Sequence, residues 1–186
     1  MIIKILWGVR AILYKLFFKR FLFPSYIGEP IFILGARKIL IERKVRIFPG
    51  SRMEVHGKGK ILIKEDVSIG QNVHITSAEE NLVIGKKTTI SGNVFITNID
   101  HDYQKIGEHI LKQKFIIKHT EIGENCFIGY GAAIQAGTVL GKQCIVGANS
   151  VVRGIFPDYC VIAGVPANVV KKFNEKSGKW ERVDAL

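Results

Sequence analysis

Residues 116–152, IIKHTEIGENCFIGYGAAIQAGTVLGKQCIVGANSVV, carry an aliphatic residue at every sixth position: Ile116, Ile122, Ile128, Ile134, Leu140, Val146 and Val152. A period of six matches neither the 3.6 of an α-helix nor the 2 of a half-buried strand, so the stretch reads as a repeat architecture. Four residues after each of the first six stands a small residue: Thr120, Cys126, Ala132, Thr138, Cys144 and Ser150. Glycine follows the aliphatic residue at Gly123, Gly129, Gly141 and Gly147. The pairs Cys126/Cys144, Gly123/Gly141 and Gly129/Gly147 are each 18 apart, which is three repeats and makes one coil with three flat sides.

The register extends upstream through Ile41, Ile47 and Met53, then Ile63, Ile69 and Ile75, then Ile84, Ile90 and Ile96, giving sixteen hexapeptides in all. Each supplies a short extended stretch with its aliphatic side chain inward and a tight turn that favours glycine or a small residue. Stacked coils bury a continuous aliphatic column and share strand hydrogen bonds at about 4.8 Å spacing. The expected fold is therefore an all-β parallel solenoid over residues 41–170. A lead-in at 1–40 precedes it and a polar tail at 171–186 follows.

Composition fits one globular domain: 186 residues, 47% hydrophobic and 23% charged. The net charge of +11 is uneven. Residues 1–60 hold 13 basic and 3 acidic groups, net +10; the other 126 hold 14 and 13, net +1. Such a split points to a local acidic partner such as a phospholipid surface, and away from nucleic-acid binding along the whole domain. Residues 1–26 are rich in Ile, Leu and Phe. Lys4, Arg10, Lys15, Lys19 and Arg20 interrupt them, which excludes a spanning helix and leaves either a cap on the solenoid or an anchor lying on a membrane. Three cysteines without zinc spacing indicate no metal and a reducing compartment, the cytoplasm, with Cys126 and Cys144 as buried thiols of the small-residue column.

One long break interrupts the register. Twenty residues separate Ile96 from Ile116 where six would suffice, so residues 99–115 must leave the coil as a loop. A bare β-solenoid is filled with side chains and has no cleft, so a site must form at this loop or between subunits. His101, between Asp100 and Asp102, stands at its root and has the chemistry of a general base.

The strings ITNIDHDY, TEIGENCFIGYGAAI, VGANSVV and FPDYCVIAGVPANVVK resemble the hexapeptide-repeat acyltransferases, and most closely those that O-acetylate bacterial surface polysaccharides such as capsule or O-antigen. The resemblance implies a left-handed β-helix, acetyl-CoA as cosubstrate, a homotrimer and a sugar acceptor. His101 would be the catalytic base, supported by Asp100 and Asp102. Tyr130 and Ala148 would meet coenzyme A through their backbones, and Arg153, Asn168 and Lys171 would lie near its phosphates. Asn72, Glu80 and Asn98 would face the acceptor. Other readings are N-acetylation of an amino-sugar nucleotide, a non-catalytic trimeric scaffold, and a three-histidine zinc hydratase. His101 and His119 occupy different repeat positions, which counts against the last.

Overall fold

The computed structural model describes residues 2–183, with side chains from Leu6 onward. Met1 and residues 184–186 of the expected tail lie outside the described residues. Short strands stack in parallel on three faces for about six turns. The first face begins at Arg20–Phe21 and Ile39–Ile41 and ends at Ile155–Phe156; the second runs from Tyr26–Ile27 to Cys160–Gly164; the third runs from Phe32–Leu34 to Val151–Val152.

The six-residue columns are the core. On the first face Ile41, Ile63, Ile84, Ile122 and Leu140 stand in register, and the second face aligns Ile47, Ile69, Ile90, Ile128 and Val146. All are at most 2% exposed. Each such burial stabilises by roughly 1.5–3 kcal/mol, enough to offset the ordering of a residue. The small column is buried too, and it carries hydrogen bonds between coils: the Thr138 hydroxyl donates to the Val152 carbonyl and the Cys126 thiol to that of Gly141. Cys126, Cys144 and Cys160 are free and buried, and a hydrogen bond with Cys144 together with burial pushes the Cys126 thiol up.

Three expectations need correction. The solenoid starts at Arg20, because Arg20–Phe21, Tyr26–Ile27 and Phe32–Leu34 pair in parallel with the coil above and form a complete first coil inside the supposed lead-in. Ile116 is not in the column: it is 39% exposed, in a strand that pairs antiparallel outside the coil. The glycine column answers to packing as well as to turns. A Cβ on Gly123 would lie 2.3 Å from the Gly141 carbonyl oxygen, whereas left-handed φ falls two residues later, at Asn125 and Gln143.

Both ends are covered. Helix α1 (Ile2–Tyr14) packs on the first coil, with Trp7 against Tyr26 and Phe48 and Ala11 joining the core, as does Phe18 in the turn after the helix. At the other end Ala167–Asn174 and Lys179–Arg182 add antiparallel strands to the second face, pinned by Phe173 against Tyr159 and Trp180. Much of the expected tail is therefore a folded hairpin. Among the described residues no helix is long and apolar enough to cross a membrane.

Candidate active site

The loop leaves the corner between the third and first faces as a hairpin, with Ile99–His101 antiparallel to Phe115–Ile117. Asn98 fixes its root. The amide is fully buried, accepts from Ala78 N–H at 2.8 Å and donates to the Ala78 carbonyl at 3.0 Å, while its own carbonyl accepts from Lys118 N–H. Asn98 therefore ties the hairpin to the coil below and has no surface for an acceptor, contrary to its expected role.

Strand alternation sends neighbouring side chains to opposite faces. Asp100 turns toward the coil: Oδ1 accepts from Arg153 at 2.9 Å and Oδ2 from Lys118 at 3.1 Å, and Arg153 also donates to Gln135 at 3.0 Å. Burial would raise this carboxyl, but hydrogen bonds from Lys118 and Arg153 outweigh it and hold Asp100 below the usual aspartate range. His101 turns the other way, exposed, its ring edge-on to Phe115 at 4.9 Å between centroids. Asp102 accepts from Gln104 N–H at 3.0 Å and shapes the loop. Neither aspartate hydrogen-bonds the imidazole among the described residues, so both act on the hairpin rather than on the ring. The tip exposes three large apolar side chains, Tyr103 71%, Ile106 101% and Leu111 73% accessible, beside Gln104, Lys105 and His109.

Glu80 is exposed at the same corner, its carbonyl accepting from Ser77 Oγ and Asn98 Nδ2. Asn72 is elsewhere. It occupies the turn between the second and third faces with φ 55°, so one chain does not bring it to His101.

That second corner gathers most of the expected coenzyme residues. Tyr130 and Ala148 lie exposed on successive coils; the Tyr130 hydroxyl accepts from Asn93 and its carbonyl from Asn149 N–H. Asn168 pairs with Ala163 and Lys171 with Val161 on the strand alongside. Arg153 does not join them: it lies across the third face, paired to Asp100. Sequence reasoning missed Arg182, which stands directly opposite Lys171. Two like charges so placed repel unless an anion lies between them. It also missed Lys118 and Gln135, each 18 residues from its partner, Gln135 one coil from Arg153 and Lys118 across the hairpin from Asp100.

Two other features lie apart. On the third face Glu54 accepts from His74 at 3.1 Å, is ion-paired with Arg52 and lies 3.4 Å from His56. Burial raises Glu54, but hydrogen bonds from Arg52 and His74 prevail and lower it. A wide groove of about 560 Å³ runs along the first face, where Lys86 and Glu124 neutralise each other at 3.0 Å. His119 pairs with Glu121 at 3.3 Å rather than with His101.

With this geometry in place the chain can be compared with known proteins. The family model described as bacterial transferase hexapeptide (six repeats) matches residues 119–154. Over 144 residues the chain is 35% identical to WbbJ of Escherichia coli K12, provisionally named a lipopolysaccharide biosynthesis O-acetyl transferase; the match covers 72% of this chain and 71% of that protein. It is 29% identical over 140 residues to a serine acetyltransferase of Staphylococcus xylosus, covering 75% of this chain and 57% of the other. Among solved structures, the Bacillus cereus N-acyltransferase AntD, in complex with dTDP and 3-hydroxybutyryl-CoA, superposes with TM-score 0.75 at 18% identity over 90% of both chains. The polysialic acid O-acetyltransferase OatWY superposes with TM-score 0.56 at 20% identity, over 78% of this chain and 88% of that one. At such identities the structural likeness is one of fold: the left-handed β-helix.

Proposed function

Since the chain belongs to the bacterial hexapeptide-repeat acyltransferases, we propose that it transfers acetyl from acetyl-CoA to a sugar hydroxyl of a surface polysaccharide or its precursor. The observation that carries this reading is His101, an exposed imidazole on a hairpin whose other side is clamped to the coil through Asp100. An imidazole nitrogen takes the acceptor's hydroxyl proton as the oxygen attacks the thioester carbonyl. The tetrahedral intermediate then collapses, the C–S bond breaks, and the imidazolium returns the proton to the departing thiolate. Asp100 is a positioning residue in this scheme, and so is Asp102.

Lys171 and Arg182, like charges side by side on the strands that extend the second face, supply what the phosphates of coenzyme A require, with Tyr130, Ala148 and Asn168 toward the corner where that face meets the third. These residues lie across the third face from His101. The exposed apolar side chains of the hairpin tip call for a partner surface, so the reading includes a homotrimer with sites between chains. The enzyme works in the cytoplasm, at the inner face of the cytoplasmic membrane.

The test follows coenzyme A release with the purified protein and a panel of sugars and glycans. Histidine loss, His101→Ala, is expected to lower kcat by about 10²–10⁴-fold while coenzyme A still raises the melting temperature. Turnover near wild type in that variant removes His101 from the role. A protein whose stability ignores coenzyme A is a scaffold.

A further inference from the structure

Helix α1 and the turn that continues it to Phe18 carry two apolar stripes. Trp7, Ala11, Tyr14 and Phe18, at helical spacing, face the first coil. Leu6, Val9, Leu13 and Leu16, at the same spacing on the other side, are 51–69% exposed. A helix apolar on both sides belongs in a buried or lipid setting, yet here one side is open. The open side continues into the coil: Phe23, 83% exposed, shares a hollow with Val9 and Ile12, and Ile31, 71% exposed, shares another with Phe17. Each hollow holds about 390 Å³.

The charges around this surface select its occupant. Lys15, Lys19 and Arg37 are exposed on or beside the first two coils, in the part of the chain that carries net +10, while Lys44 is paired with Glu65 at 3.5 Å. A second copy apposed through this face would bring two such fields together, whereas anionic headgroups would neutralise them.

We infer that the outer side of α1, with Phe23 and Ile31, is a bilayer-docking face that lies in the interface of an anionic phospholipid leaflet. Leu13, Leu16 and Phe23 enter the acyl boundary and the surrounding lysines meet phosphate. The face closes the first coil, so docking stands the solenoid on its N-terminal end. At about 4.8 Å per coil, the hairpin that leaves after the fourth coil is then roughly 15–20 Å above the headgroups. An acceptor held by the membrane must extend that far, as a glycan chain does and a bare lipid headgroup does not. This last step rests on the acetyltransferase reading; the docking face does not.

The experiment is sedimentation of the full chain with extruded vesicles of phosphatidylcholine alone or with 30% phosphatidylglycerol, on the order of the anionic content that attracts basic surfaces. Wild type is expected to partition at least about tenfold more onto the anionic vesicles, and to lose that preference in high salt. The doubly charged variant, Leu13→Glu with Leu16→Glu, is expected to lose binding while keeping its β circular dichroism. Should that variant misfold, Phe23→Ser provides a second reading, with a several-fold loss expected. The inference is overturned if wild type ignores anionic vesicles, if the folded variants bind as wild type does, or if the glutamates instead dissolve a self-association seen without lipid. Vesicle binding without acetyl transfer would sink the enzymatic reading and leave the docking face standing.

Discussion

Asp100 accepts from two cations at once, Arg153 from the sixth coil and Lys118 from the returning arm of its own hairpin. Its pKa lies below the unfolded value, so by linkage the clamp is complete at every pH above the ordinary aspartate range and is lost only as pH falls through the lowered value. Between pH 5 and 8 the clamp therefore does not titrate, and its hold on the hairpin is constant across that window. Asp100→Asn is expected to lower kcat/KM by about 10- to 100-fold, the cost of misplacing the base by on the order of 1 Å, at all pH values alike. A pH–rate profile checks this: a loss that changes with pH between 5 and 8 would mean that Asp100 does more than hold the hairpin in place. The sequence marks His101 plainly, because the aliphatic period fails on either side of it. It does not mark the histidine's surroundings. Which side of a hairpin strand a residue faces depends on the pairing of the loop, and Asp100 and Arg153 are 53 residues apart.

The same contrast appears in the elements. Phe21, Ile27 and Ile33 keep the six-residue spacing below Ile39, yet a basic, aromatic-rich segment conceals a first coil that reads as a lead-in. Ile116 deceives in the other direction: it stands six residues before Ile122, but antiparallel pairing with the outgoing arm draws it off the coil. The cap is where this matters for stability. Phe18 is 3% exposed and packs edge-on to Phe21 at 5.6 Å, whereas Leu16, two residues earlier, is 69% exposed. Phe18→Ala is expected to cost about 3–5 kcal/mol as a core truncation, and Leu16→Ala within about 0.5 kcal/mol as a surface change. Urea unfolding of the two variants measures the difference. Equal losses would show that α1 does not cap the core through Phe18. Removing residues 1–26 would take away Phe18 and Phe21 as well as α1, so the coil above cannot be treated as indifferent to that deletion.

Across the whole molecule, one chain holds the residues of the proposed site without bringing them together. His101 and its clamp occupy the corner between the third and first faces; Tyr130 and Ala148 occupy the corner between the second and third, and Lys171 and Arg182 lie on the strands that extend the second face beside it. A rotationally symmetric ring brings one kind of corner against the other at each junction, and covers the apolar side chains of the hairpin tip in doing so. Complementation separates this arrangement from a site within one chain. The histidine-deficient partner is His101→Ala. The coenzyme-deficient partner is Lys171→Glu with Arg182→Glu; Arg153 is unsuitable because its loss would also free Asp100 on the histidine side. Each variant alone is expected to be inactive. After subunit exchange at equal amounts, a junction works when an intact histidine from one chain meets intact cations from the next, and random assortment gives this in about a quarter of junctions. Activity should therefore return to about a quarter of the wild-type level, and dilute back toward zero if exchange is prevented by cross-linking first. No recovery despite exchange proven by mass spectrometry, or full turnover by a monomer in sedimentation, would place both halves of the site on one chain.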